Sequence, residues 1–167
     1  MPATPFDPSD PAHADAARTI RAFSRLSDSQ LAQIMVLGEL CDYARGEDVI
    51  TQGQSDKRIF FLLHGDLKVL VDGVEVARVE TPGEVFGEMG VVDPAPRSAT
   101  IRAADETACL SLDLGFLDSL KSPVREAVQA LFFKIFYEIL AGRLREANEK
   151  VADLEMQAAV LENCKFD

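Results

Sequence analysis

The part of this sequence that departs most from a generic pattern is Phe86-Gly87-Glu88-Met89-Gly90-Val91-Val92, followed by Pro96-Arg97-Ser98-Ala99-Thr100. Gly87 permits a close backbone approach, and Glu88 onward suits one helical turn whose first amide N–H groups point at an anion. Arg97 adds a guanidinium fork that matches two phosphate oxygens, and Ser98 adds a hydroxyl group. These residues predict a phosphate-binding site.

The carboxylate of Glu88 is the unexpected group in a site for a phosphate. It fits a ligand that also presents a hydroxyl donor, such as a ribose 2′-OH, with Arg97 limiting the electrostatic cost. Taken singly, Arg97 is more often one half of a weak surface ion pair, and Glu88 a charge at a helix end. Their spacing and their flanking residues favour the ligand-binding interpretation.

Around this stretch, from Cys41 to Leu114, the sequence consists of short β-type runs separated by glycines. Asp72-Gly73, between two alternating runs, is the strongest hairpin signal, because both central residues of a type I′ turn need positive φ. Short strands at such spacing predict a small sandwich, roll or barrel. The predicted runs are 49–51, 59–63, 67–71, 74–79, 99–102 and 109–112.

Helical signals lie on both sides of the β region. Ser27 and Gln30 have the spacing of a capping box at the start of a short amphipathic helix. Ser122-Pro123 marks the start of a long helix with a heptad pattern, which predicts a parallel homodimeric coiled coil over its later part. The alternative is a long surface helix that packs only on its own domain. The heptad residues are Phe133, Tyr137, Leu140, Leu144, Ala147, Val151, Leu154, Ala158 and Leu161.

The two quoted stretches and the ordered glycines resemble the cyclic nucleotide-binding domain family. This is the module of bacterial catabolite-activator-type regulators, cyclic-nucleotide-dependent kinases and gated channels. Its phosphate-binding cassette has the form Phe-Gly-Glu-(Leu/Met)-x and then (Pro)-Arg-(Ser/Thr/Ala)-Ala-Thr, which this sequence matches position by position. The resemblance covers about residues 27 to 154. It implies a mainly β fold, an eight-stranded β-roll of the double-stranded β-helix or jelly-roll type, with N-terminal helices and a long C-terminal helix.

The resemblance also implies a role for each residue of the cassette. The backbone amides of Gly87 to Met89 and the side chain of Arg97 hold the cyclic phosphate of cAMP or cGMP. Ser98 supports the phosphate, and Glu88 binds the ribose 2′-OH. No cofactor, metal ion or catalytic residue is expected.

Two positions depart from the family's pattern. In the activator branch, two adjacent hydroxyl residues of the long helix usually meet the base, and here they correspond to Ala147 and Asn148. The Asn148 amide has both a donor and an acceptor, so it is suited to a purine edge without distinguishing adenine from guanine. Gly90 stands where the cassette often has Ala, which loosens the short helix by about 1 kcal/mol.

Composition limits the partners of the chain. Its 167 residues include 17 Lys and Arg against 28 Asp and Glu, a net charge of −11, which excludes general binding to a nucleic acid backbone. The three cysteines and two histidines lack the spacing of a disulfide framework, a zinc module or a metalloenzyme site. The sequence shows no signal peptide and no apolar span of about 18 residues, so we expect a cytoplasmic protein without membrane contact.

We divide the chain into a disordered lead-in (1–14), a cyclic nucleotide-binding roll with N-terminal helices (15–122), a C-terminal lid and dimerisation helix (123–163) and a tail (164–167). The lead-in is rich in proline and aspartate, which disfavours a packed core. Because six residues follow Leu161 in this sequence, we expect no helix-turn-helix. We expect a sensor, not an enzyme, that relays nucleotide binding through its C-terminal helix to an unidentified effector protein. The alternative is a structural or scaffolding coiled-coil dimer whose roll senses no nucleotide.

Overall fold

A computed structural model describes residues 3–7, 9–24, 26–92, 95–119 and 121–163, and within them it has nine β-strands and four α-helices. The chain divides into two compact units, Met1–Leu131 and Phe132–Asp167. The strands are β1 (Ala3–Pro5), β2 (Gly38–Tyr43), β3 (Asp48–Ile50), β4 (Arg58–His64), β5 (Leu67–Val71), β6 (Val74–Val79), β7 (Val85–Phe86), β8 (Thr100–Ala103) and β9 (Thr107–Asp113). The helices are α1 (Pro11–Thr19), α2 (Asp28–Met35), α3 (Met89–Val92) and α4 (Val124–Asn163), with 3-10 turns at Arg21–Phe23 and Leu114–Ser119.

The strands form two antiparallel sheets, one in the order β1-β2-β9-β4-β7 and the other in the order β3-β8-β5-β6. Because alternate side chains of a strand point to opposite faces, each sheet contributes apolar residues to a shared core. The predicted mainly β fold with flanking helices is confirmed, and its eight strands correspond to β2 to β9. The buried residues of the core are Cys41, Tyr43, Ile50, Phe60, Leu62, Leu67, Val79, Phe86, Ile101, Ala103 and Cys109.

The N-terminal segment differs from the disordered lead-in predicted for residues 1–14. Strand β1 pairs with β2, and the following residue, Phe6, is buried and donates its backbone N–H to the Gly38 carbonyl at 2.9 Å. Helix α1 then starts after Asp10, whose carboxylate accepts from the Ala12 amide at 2.9 Å. Composition misjudged this segment because a short strand can add to an existing sheet edge without a core of its own.

Helix α2 begins as its local sequence predicts. Ser27 accepts from the Gln30 amide at 3.2 Å, and Gln30 accepts from the Ser27 amide at 3.1 Å, which completes the capping box. The helix buries Leu31, Ile34 and Met35 on one side. The predicted helix start is therefore confirmed.

The β5–β6 hairpin also forms at its predicted turn. Asp72 and Gly73 have φ values of 51° and 81°, as a type I′ turn requires. The Gln52 side chain donates to the Asp72 carboxylate and accepts from its amide, both at 2.9 Å. These contacts tie the turn after β3 to the hairpin.

The long C-terminal helix α4 runs from Val124 to Asn163 and includes the greater part of the second unit. No helix within the described ranges combines the length and the apolar character that crossing a membrane requires. The predicted tail, residues 164–167, lies outside the described residues. Several large apolar side chains of the second unit are exposed, namely Phe133, Tyr137, Leu140, Leu144, Val151, Leu154, Met156 and Val160.

Candidate functional site

Gly87 joins β7 to α3 in a conformation that other residues rarely adopt. Its φ is +77°, in the left-handed region where a Cβ atom is strained. An ideal Cβ built there would lie 2.8 Å from Ile50 Cδ1 and 3.0 Å from Arg97 Nη1. The backbone angle therefore favours glycine, and any larger residue would also displace the ends of these two side chains.

Glu88 and Met89, the next two residues, have opposite environments. Glu88 is only 3% exposed, whereas Met89 is 63% exposed. A carboxylate is costly to bury unless hydrogen bonds or positive charge compensate the burial. The burial of Glu88 therefore indicates that tertiary packing sets the position of its side chain. Glu88 is thus held inside the domain at the start of the predicted cassette.

The backbone of Arg97 is fixed against the turn that follows β3. Its amide donates to the Gln54 carbonyl at 2.8 Å, and its carbonyl accepts from the Gly53 amide at 2.9 Å. Close by, the Thr100 hydroxyl oxygen accepts from the Gln52 amide at 2.9 Å. The second half of the cassette is therefore held by hydrogen bonds to a segment distant in sequence.

The side chain of Arg97 is almost fully buried and donates four hydrogen bonds. Its Nε donates to Asp56 Oδ2 at 3.2 Å, and its Nη2 contacts Asp56 Oδ1. Nη2 also donates to the Arg58 carbonyl at 2.5 Å, while Nη1 donates to the Gly87 carbonyl. The structure thus brings Arg97 close to Gly87 and adds Asp56 as a partner of Arg97.

Asp56 was not predicted from the sequence. It lies between β3 and β4, where its Oδ1 also accepts from the Arg58 amide at 2.8 Å. Burial raises the pKa of this carboxyl group. Hydrogen bonds from the Arg97 guanidinium and the Arg58 backbone amide, together with the positive charges of the two arginine side chains, outweigh the effect of burial and lower the pKa below 3.8. Sequence alone offers no signal for Asp56, because it is a polar residue in a polar loop 41 positions from Arg97.

Gly90 lies inside α3, directly against the Arg97 guanidinium. An ideal Cβ at this position would lie 2.8 Å from Nη1, 3.1 Å from Cζ and 3.3 Å from Nε of Arg97. These separations are shorter than ordinary van der Waals contacts. Gly90 stands where the family's cassette often has Ala, and the Arg97 guanidinium occupies the space that the Ala side chain would need.

The remaining predicted site residues are Ser98 and Asn148. Ser98 is exposed and follows Arg97 directly. Asn148 is exposed on α4 and belongs to the second compact unit. The ligand contacts assigned to both residues, and to Gly87, Glu88, Met89 and Arg97, stay predictions.

Comparison with protein families gives a match over most of the two sheets and the cassette. Residues 40–122 match the family model of the cyclic nucleotide-binding domain. A solved structure of a cyclic nucleotide-binding domain from Methylobacillus flagellatus KT aligns with a TM-score of 0.66 and 22% identity, covering 82% of this chain and 79% of that one. This likeness shows that the two chains share a fold.

Two curated relatives are similar in sequence. A cAMP-dependent protein kinase regulatory subunit of Mycosarcoma maydis is 40% identical over 88 residues, which are 51% of this chain and 17% of that protein. A CRP-like cAMP-activated global transcriptional regulator of Mycobacterium tuberculosis is 28% identical over 136 residues, which are 79% of this chain and 58% of that protein. The chain thus spans less than two thirds of the length of either relative.

Proposed function

Residues 40–122 of this chain belong to the cyclic nucleotide-binding domain family, and from this premise we propose that the chain is a sensor of cAMP or cGMP. The observation that carries the proposal is the buried Arg97 guanidinium, which lies against the Gly87 carbonyl at the start of the cassette. The guanidinium is held in place by its pairing with Asp56 and by two backbone carbonyls, beside a glycine whose backbone conformation few other residues adopt. It suits the binding of one small anion.

In the proposed complex, the cyclic phosphate binds to the backbone amides of Gly87 to Met89 and to Arg97. An N–H bond to an anionic phosphate is stronger than one to a neutral carbonyl, so the phosphate can replace the Gly87 carbonyl as an acceptor of Arg97. Ser98, which is exposed, is available to support the phosphate oxygens. Because the chain has a net charge of −11, this local cation carries most of the attraction for an anion.

The ribose of the ligand is assigned to Glu88. The Glu88 carboxylate accepts a hydrogen bond from the ribose 2′-OH, which explains an acidic side chain next to a phosphate site. The base contact stays the prediction made for Asn148 from the family resemblance, and because an amide suits either purine, both cAMP and cGMP are candidate ligands.

The proposed output is a change in α4 that a partner protein reads. Tyr137, Leu144 and Val151 are spaced by seven residues and are 71%, 63% and 54% exposed. Such a stripe suits a parallel coiled coil with a second copy of this chain. A ligand can switch this element only if it binds two of its states with different affinity. The domain has no catalytic part in this scheme.

Isothermal titration of the purified protein with cAMP and with cGMP tests the proposal. We expect heat from at least one nucleotide at micromolar protein concentration, and a much weaker signal from an Arg97→Ala variant. Absence of heat with both nucleotides would contradict the sensor function and favour a structural coiled-coil dimer. A melting screen is a second readout, because a ligand at a hundred times its Kd stabilises the folded state by about 2.7 kcal/mol.

A further inference from the structure

Glycine at position 90 is explained by the space around it and not by its backbone. Gly90 lies in a helical turn and is not among the glycines with positive φ, which are Gly46, Gly53, Gly65, Gly73, Gly83 and Gly87. An alanine is therefore compatible with its backbone and has the higher helix propensity, by about 1 kcal/mol. The guanidinium of Arg97, with three atoms within 3.3 Å of the ideal Cβ, opposes a side chain there.

The guanidinium that fills this space already uses most of its N–H groups in bonds to the protein. Four of its N–H groups donate to Asp56, Gly87 and Arg58, which leaves one N–H within the described part of the chain. A two-point contact to a phosphate needs two N–H groups. Arg97 must therefore give up at least one protein acceptor before it can bind a phosphate through its fork.

We propose that Gly90 is a positioning residue that lets Arg97 withdraw into a resting position, and thereby weakens binding of the anionic ligand. The inference rests on the proposed function, since the ligand is the cyclic nucleotide phosphate. When only a fraction of molecules has a competent Arg97, the apparent affinity falls by that fraction. Glycine at position 90 stabilises the resting position and so sets the affinity of the sensor.

A side chain at position 90 acts on this equilibrium directly. The Cβ of Gly90→Ala would press on three guanidinium atoms, while Nη2 already lies 2.5 Å from the Arg58 carbonyl oxygen. The guanidinium plane has to move, and movement lengthens the hydrogen bonds to Asp56 and Gly87 that define the resting position. The variant therefore increases the fraction of molecules whose Arg97 is available.

The test compares Gly90→Ala with Gly142→Ala, a matched control whose ideal Cβ would meet nothing within 4 Å. We expect Gly90→Ala to bind cAMP or cGMP about threefold to tenfold more tightly than the wild type in isothermal titration. Gly142→Ala should bind as the wild type does. Unchanged or weaker binding by a Gly90→Ala protein that melts as a folded domain would overturn the proposal.

A measurement without ligand separates this inference from the proposed function. The Arg97 Nε–H resonance in the NMR spectrum reports the bond to Asp56, and we expect Gly90→Ala to shift it and Gly142→Ala to leave it in place. A shift without any nucleotide binding would support the resting position and contradict the sensor function. An unshifted resonance in the Gly90→Ala protein would contradict the resting position, whatever the protein binds.

Asp56→Asn provides an independent check of the mechanism. If both changes act by releasing the same guanidinium, their effects on affinity are not additive. We expect the double variant Asp56→Asn/Gly90→Ala to gain less than the product of the two separate fold-changes. Full multiplication of the two effects would show that Gly90 acts independently of the resting position and would overturn the proposal.

Discussion

Arg97 and Asp56 form a two-point ion pair across 41 residues of sequence, with Nε of Arg97 3.2 Å from Oδ2 of Asp56 and Nη2 in contact with Oδ1. The Arg97 side chain is 4% exposed, whereas that of Asp56 is 37% exposed. The guanidinium is therefore buried, and its carboxylate partner lies nearer the surface. The same guanidinium is the strongest candidate for holding an anion. If Arg97 binds the anion as proposed, stability and ligand binding depend on the same side chain.

Replacing Arg97 should abolish most of the binding of a cyclic nucleotide. Arg97→Ala removes a charge-assisted hydrogen bond of about 1.5–3 kcal/mol, which corresponds to about a tenfold to hundredfold weaker affinity. Isothermal titration measures the loss. Arg97→Lys keeps the charge but not the two-point fork, so its affinity should also fall in a protein that retains its fold.

Arg102→Ala is the matched control for the arginine variants. Arg102 pairs with Asp48 at 2.6 Å, but its side chain is 45% exposed, and such surface pairs contribute at most about 1 kcal/mol to stability. We expect wild-type nucleotide affinity from this variant. Equal loss of affinity in the Arg102→Ala and Arg97→Ala proteins would place the anion site elsewhere.

The Asp56 carboxylate should make the stability of the domain depend on acidic pH. Its pKa is lowered in the folded state, so its contribution is present above the unfolded value of 3.8 and is lost as the pH falls through the lower folded value. We expect Asp56→Asn to be less stable than the wild type at pH 7. The difference in unfolding free energy, measured by urea denaturation, should shrink below about pH 4. A difference that is constant from pH 7 to pH 3 would contradict the ion pair.

A side chain at position 87 should damage both the fold and the site. Gly87→Ala places a Cβ in a left-handed conformation, at a cost of about 1–2 kcal/mol, and adds the contacts with Ile50 and Arg97. Gly73→Ala is the control, because Gly73 has φ +81° but no atom within 4 Å of its ideal Cβ. Thermal melts should show a larger destabilisation in Gly87→Ala than in Gly73→Ala. Equal melting temperatures would show that the contacts of the new Cβ with Ile50 and Arg97 contribute little to the stability of the folded state.

A charge in the exposed heptad stripe of α4 should dissociate the proposed homodimer. Leu144, 63% exposed, lies in the stripe, and Leu144→Glu would bury two carboxylates against each other in a parallel dimer. Sedimentation velocity should show a dimer in the wild type and a monomer in the variant. Met156→Glu is the control, since Met156 is 67% exposed but lies outside the heptad positions. A monomeric wild type at high micromolar concentration would contradict the coiled coil.

Features that depend on neighbouring residues were predictable from the sequence. The capping box at Ser27 and Gln30 and the hairpin at Asp72-Gly73 were predicted from spacing and turn preference, and the structure confirms both. The N-terminal strand was missed, because β1 has no local signal of its own and depends on the edge of β2. Asp56 was missed for the same reason, because its ion pair is with Arg97, which lies 41 residues away in the sequence.

Local spacing, turn geometry and periodicity were sufficient to predict the mainly β fold, the long helix α4 and the cassette that contains Gly87 and Arg97. The pairing of Asp56 with Arg97, and the position of the guanidinium beside Gly90, became visible in the folded structure. Strand pairing brings these segments together from distant parts of the chain. The position of the Arg97 guanidinium therefore depends on packing between these segments, and the residues of the cassette do not set it by themselves.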